Sequence, residues 1–230
     1  MTGVTSCQGL EWDDAGVTSS PSPGADTPRR YGGRSADDRR AERHARLVAA
    51  TVRLLGSRGE GATTMTAICA EAGLTERYFY ESFRHRDAAV VTALDTVSAE
   101  IADAAVRAIA ETVGTATARV QAALTALIGW VDAHPDRARV ALLESTATPG
   151  LRARRRELLG TFAELVVTEA AELYGSAAWP ADRARAQGLL YVAGLAELVA
   201  ARLVGEVELG SSELVTIGAD SFERLARASG

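Results

Sequence analysis

The sequence predicts an all-α protein of about nine helices, a small N-terminal domain of three and a larger C-terminal domain of six. Three observations carry this. From Asp37 onward, apolar residues recur at intervals of three and four, the repeat of helices with one buried face. Gly and Pro punctuate that pattern, with no β-type alternation and no internal repeat. Charge is also divided: residues 29–86 carry 12 Arg against 7 acids, whereas residues 87–230 carry 13 Arg against 19. A basic stretch within a chain of net charge −5 is the footprint of a phosphate-binding module joined to a more acidic partner domain.

Bulk properties remove several classes. A chain of 230 residues buries a proper core, and 47% hydrophobic residues is ordinary for a globular protein. No run of about 18 uncharged apolar residues offers a bilayer span, so no membrane partner is expected. The first 36 residues lack the basic start and apolar run of a secretory signal and carry Glu11, Asp13, Asp14 and Asp26 instead. A cytoplasmic location is the expectation. Cys7 and Cys69, the only cysteines, form neither a disulfide framework nor a zinc site, and no cofactor or metal is expected. All 25 basic residues are Arg, which coding bias alone explains.

Residues 1–36 are rich in Gly, Ser, Thr and Asp, with Pro21, Pro23 and Pro28 close together, and read as a disordered arm or as an extension from an upstream start codon. The first helix sets Leu47, Val48, Thr51, Val52, Leu54 and Leu55 beneath Arg39, Arg40, Arg43, Arg46 and Arg53, and Gly56 and Gly59 are expected to end it. Thr63 and Thr64 offer hydroxyls to cap a second helix, with Met65, Ile68, Cys69 and Ala72 on one side. Gly73 then supplies a tight turn, and Thr75 caps a third helix carrying Tyr78, Phe79 and Tyr80. Two short helices about a Gly-centred turn are the pattern of a helix-turn-helix. Further helices are expected at 86–112, 116–133, 136–147, 150–174, 180–205 and 211–228, bounded by Gly114, His134-Pro135, Pro149-Gly150, Gly175 through Pro180, and Gly210.

The string from Gly61 to Asp87 resembles the DNA-binding signature of the TetR/AcrR family. The likeness lies in Thr63-Thr64, the Ile68 to Ala72-Gly73 approach to the turn, Thr75, Tyr80 before Phe83, and a basic residue at Arg86. It is specific over residues 38–95; beyond them only helical pattern and length agree. Arg86 stands where the family usually has Lys, and Arg77 where it often has a small residue, so an operator preference does not carry over. Beyond the arm at 1–36, which composition alone marks as disordered, the resemblance implies a helix-turn-helix DNA-binding domain at 37–85 and a helical ligand-binding and dimerisation domain at 86–230. It further implies a homodimeric repressor on a palindromic double-stranded DNA operator, released by a small-molecule effector.

A recognition helix meets bases with its N-terminal residues, here Thr75, Glu76, Arg77 and Tyr78. Tyr80, Thr64 and Arg86 are placed for phosphates, Arg39 and Arg43 for the flanking backbone, and Arg34 on the arm for a minor groove. Three consecutive aromatics cannot all face one core, so Phe79 is assigned inward with Phe83, and Tyr80 outward. The bland alternative for the Arg residues of the first helix is a solvated face.

In the larger domain, the stretch from Gly188 to Ala201 is apolar nearly all round, which dimer burial explains. Glu197 within it is expected at an interface edge beside Arg202 or a partner's Arg. Leu127, Trp130, Glu144, Phe162, Leu165, Tyr174 and Tyr191 are the candidates to line a pocket for an apolar or amphipathic effector. Arg152, Arg154, Arg155 and Arg156 read as a solvated face rather than an anion site. An enzyme is not expected: His44, His85 and His134 lie in unrelated contexts, and no nucleophile elbow or phosphate loop is present. The remaining alternative is an architectural or partner-docking DNA-binding protein without an effector.

Overall fold

The N-terminal helix begins with a reciprocal cap. Ser35 Oγ accepts from the backbone N–H of Asp38, and an Asp38 carboxylate oxygen accepts from that of Ser35, both at 2.9 Å. These bonds hold the Asp38 carboxyl below its ordinary range. The computed structural model describes residues 35–175 and 178–226; Cys7 and Arg34 lie outside these, as does all of the expected arm but its last two residues. Helix α1 (Ala36–Arg58) starts at the last of them.

Nine α-helices and no strands occur among the described residues, as the periodicity predicts. After α1 come α2 (Met65–Ala72), α3 (Glu76–Ser82) and α4 (Arg86–Glu111). Then follow α5 (Ala116–Ala133), α6 (Pro135–Leu142), α7 (Pro149–Tyr174), α8 (Ala181–Leu203) and α9 (Ser211–Ala226). The helix expected at 136–147 is shorter: it stops at Leu142, and a single 3-10 turn, Glu144–Thr146, leads on to α7.

One expected boundary is overturned. Gly56 does not end α1; it is buried inside the helix, and the chain turns only at Gly59. A Cβ at Gly56 would stand 2.2 Å from the carbonyl oxygen of Asp136 in the first turn of α6. Only a glycine admits that approach of two backbones.

The α2–α3 turn is as predicted. Gly73 adopts φ 62 and ψ 38, its N–H bonds the Ala70 carbonyl, and Leu74 N–H bonds that of Cys69. Arg46 clamps the turn from α1 by donating to the Ala72 carbonyl at 2.6 Å.

Apolar side chains gather in three clusters. The first joins α1–α4 through Leu47, Leu55, Ile68, Phe79, Phe83 and Leu94 and takes in Val140 of α6 and Leu151 of α7. The second unites α5, α7, α8 and α9 around Leu124, Ala170, Tyr191 and Phe222. The third, including Ile128, Val131, Ala138, Val199 and Leu214, lies along α5, α6, α8 and α9. Trp130 packs against both the first and the third.

Polar clasps fix the crossings. Asp132 at the end of α5 accepts from Arg202 of α8 and from the Ser211 hydroxyl of α9, each at 2.6 Å. Although burial works against its charge, these two bonds prevail and hold the Asp132 carboxyl below the ordinary range. Arg137 of α6 forks onto Glu100 of α4.

Candidate functional site

The N-terminal tip of α3 is exposed. Thr75 has the backbone of an N-cap, but its hydroxyl makes no capping bond, and it is exposed together with Glu76 and Arg77. Arg77 is 83% exposed and rests on Glu81 one turn on, at 3.3 Å. Tyr80 is 58% exposed, its ring edge-on to Phe79. Phe79 itself is fully buried, so the aromatics divide as the sequence predicts. Thr64 caps α2 through its hydroxyl, which accepts from Ala67 N–H at 3.2 Å, and stays on the surface; Thr63 beside it is buried and bonds the Gly59 carbonyl.

Other expected contacts are engaged within the fold. Arg43 lies over the Tyr78 ring at 4.5 Å and pairs with Glu81 at 3.5 Å, so both side chains hold α1 against α3 rather than projecting freely. Arg39 is exposed on the first turn of α1. The largest correction concerns Arg86, whose Nε donates to the Thr63 carbonyl at 2.7 Å while its other nitrogens meet the Glu60 carbonyl and carboxylate. Guanidinium donors spent on backbone oxygens do not face a phosphate. Arg86 braces the loop that presents Thr64. Arg84, which the sequence reading passed over, is exposed immediately after α3. Its only sequence signal is a basic residue beside Phe83.

Behind this surface, α4, α5, α7 and α8 line a partly open cavity of about 220 Å³ with an overwhelmingly aliphatic wall. Leu127, Phe162, Leu165 and Tyr191 line it, as expected. Burial pushes the Tyr191 hydroxyl's pKa up and keeps it neutral; the hydroxyl donates to the Gly218 carbonyl at 3.3 Å. Trp130, Tyr174 and Glu144 do not line it. Trp130 stacks on His134, Tyr174 packs on Phe222, and Glu144 turns to Glu60 in the loop after α1. Lining residues absent from the sequence list include Ile101, Leu158 and Glu169. Glu197 pairs with Arg155 rather than Arg202, and Arg154 pairs with Asp95 and Glu157, so much of the Arg152–Arg156 run ties α7 to its neighbours.

A short path links cavity and reader. Ala141 and Leu142 at the end of α6 line the cavity, and Glu144, two residues on, accepts a 2.8 Å bond from the backbone N–H of Glu60. Glu60 in turn pairs with Arg86, which grips Thr63. Together with the Gly56–Asp136 approach, this gives α6 two fixed points on the end of α1 and the loop after it.

Residues 47–90, spanning α2 and α3 with their flanks, match the model of bacterial regulatory proteins, tetR family. That segment carries the tetR-family signature. No curated protein matches it. Among solved structures it is similar to a TetR-like transcriptional regulator from Rhodococcus sp. RHA1, at 18% identity and TM-score 0.61, over 80% of this chain and 95% of that one. The fatty acid degradation regulator FadR from Bacillus halodurans aligns at 14% identity and TM-score 0.65, over 80% and 94%. FadR from Bacillus subtilis, solved in complex with stearoyl-CoA, aligns at 16% identity and TM-score 0.64, over 80% and 97%. These likenesses establish the tetR-family fold along most of the chain. The family is one of DNA-binding transcriptional regulators rather than enzymes.

The tetR-family fold also accounts for α8. By length and composition it could cross a membrane, with mean hydropathy 1.3 over its most apolar window. In the fold Gly188, Tyr191 and Val199 are buried, while Leu189 and Leu190 remain 43% and 62% exposed.

Proposed function

We propose that this tetR-family regulator is a homodimeric repressor whose grip on a palindromic operator is released when a small apolar or amphipathic molecule enters the α4–α8 cavity. Residues 37–85 act as the reader and residues 86–230 as the receptor and dimer former, in the cytoplasm where the operator lies. The observation that carries the reading is the aliphatic cavity between the helices, joined through α6 and the turn after it to the loop that presents the reader. It favours a sensing role over an architectural one, which has no need of an internal space.

The exposed apolar face of α8, with Leu190 and Val204, and Ile217 of α9, supports pairing of two copies through these helices. Pairing would set two α3 tips about one DNA turn, roughly 34 Å, apart. Thr75, Glu76 and Arg77 then face base edges, while Tyr80, Thr64 and Arg84 face phosphates. Ligand binding needs to favour the DNA-incompetent arrangement by only about 1–3 kcal/mol to change occupancy usefully. The B. subtilis neighbour, solved with stearoyl-CoA, lends support to a cavity that accepts long apolar molecules.

The test is selection of binding sites from random duplexes, followed by affinity measurement on the selected site at rising salt. A two-fold symmetric site is expected, with affinity falling steeply between about 50 and 200 mM salt as counterions are released. An affinity unchanged over that range would refute phosphate-based binding.

A further inference from the structure

The cavity wall carries two charged side chains, Arg155 and Glu169, and they stand in opposite conditions. Arg155 is only 19% exposed and already ion-paired with Glu197, so that end of the cavity requires no anion from a ligand. Glu169 is different. Its Oε2 is shielded from solvent and has no hydrogen-bond partner among the described residues. The Arg119 guanidinium stands 3.9 Å away, near enough for attraction but too far for a hydrogen bond. A carboxylate on an aliphatic wall, with one oxygen lacking a donor and its nearest cation beyond hydrogen-bond distance, is under-compensated in the unliganded protein, and a cationic group in the cavity relieves that cost.

Shape adds to this. The lining residues extend along α7 from Arg155 to Leu173, and along α4 from Leu94 to Ile109. At about 1.5 Å per residue these faces are roughly 27 Å and 22 Å long. A volume near 220 Å³ disposed along such faces is narrow and suits an extended chain rather than a broad ring system.

We infer that the cavity selects an aliphatic ammonium, an extended hydrocarbon whose cationic head pairs with the Glu169 carboxylate on the wall, over a carboxylate or acyl compound of equal length. The inference rests on the cavity being the effector site but is tested by binding alone. A carboxylate there would meet Glu169 as a like charge, and Arg155, the nearest source of compensation on the wall, is already paired.

Calorimetric titration of the full-length protein with decylamine, decanol and decanoate separates the possibilities. Wild type is expected to bind decylamine about 10- to 100-fold more tightly than the other two, the ratio that one charge-assisted hydrogen bond supplies. Glu169→Gln should abolish that preference while leaving decanol affinity unchanged. Arg119→Gln should strengthen decylamine binding, because it removes the cation that faces Glu169; this variant also guards against misfolding of the first. Decanoate binding as tightly as decylamine, decylamine binding unaffected by Glu169→Gln, or no binding of any probe would each overturn the inference. Operator release is scored separately. Glu169-dependent binding of decylamine without release would leave the ligand class standing and remove the release mechanism. Release by a different molecule, indifferent to Glu169→Gln, would do the reverse.

Discussion

The Glu144 carboxylate, two residues beyond the cavity wall, accepts a 2.8 Å hydrogen bond from the backbone N–H of Glu60, in the loop that leads into the helix-turn-helix. The bond spans 84 residues of sequence and joins the turn after the cavity-lining α6 to the helix-turn-helix at one backbone amide. Glu144→Ala is therefore expected to expose the Glu60 amide to exchange and to shrink the effect of ligand on operator affinity by about 2- to 30-fold, or about 0.5–2 kcal/mol of coupling. Amide exchange together with operator titrations in the presence and absence of ligand checks this. A protected Glu60 amide in the variant would show that the bond is not what holds the loop.

Arg86 and Arg77 are expected to respond differently to alanine. Arg86→Ala removes a partly buried guanidinium from the Thr63 and Glu60 carbonyls, at a cost of about 1.5–3 kcal/mol and hence several degrees of Tm. Arg77→Ala touches an 83% exposed side chain and should leave Tm in place while altering the order of preference among DNA sites. Tyr80→Phe should weaken all sites alike. Thermal melts and a panel of duplexes read all three variants.

Gly56→Ala inserts a methyl group where the Asp136 carbonyl already stands. Overpacking of this kind costs about 1–3 kcal/mol, and here it pries α6 from α1. Loss of stability should be accompanied by weaker ligand control of DNA binding, measured by chemical denaturation and the same titrations.

The Asp132 clasp predicts an acid-side sensitivity. Its carboxyl is held below the ordinary range, so it stabilises the fold at pH values above the ordinary carboxylate range and loses that contribution as pH falls through its own lowered pKa. Asp132→Asn should reduce stability at neutral pH and flatten that part of the acid limb, as followed by circular dichroism melts from neutral pH down through the carboxylate range.

Helix order was legible because burial imposes a spacing that survives without any knowledge of neighbours: Leu47, Leu54 and Leu55, or Phe79 and Phe83, announce their faces unaided. Gly56 was misread because a glycine that ends a helix and one that admits another backbone are the same letter. Arg43 and Arg86 were assigned to phosphate because guanidinium suits phosphates, carbonyls and aromatic faces alike, and only distance decides among them. The cavity divided for a similar reason. Size and apolarity single out Phe162 and Tyr191, which line the cavity, but also Trp130 and Tyr174, which do not, since which side of a helix meets empty space depends on crossing angles that no single helix encodes. Glu169 gave no signal: an acid with polar neighbours in sequence looks like a surface residue until its oxygen is found without a donor.

The meeting of Gly56 with Asp136 bears on transplanting the reader to another protein. The contact is made by main-chain atoms, so nothing about its chemistry can be adjusted by changing a side chain on α6. A chimera that carries residues 35–85 onto another receptor will inherit control only if the recipient brings a helix start flush against that glycine. Receptors lacking such a seat would yield a reader that binds its operator and answers to nothing.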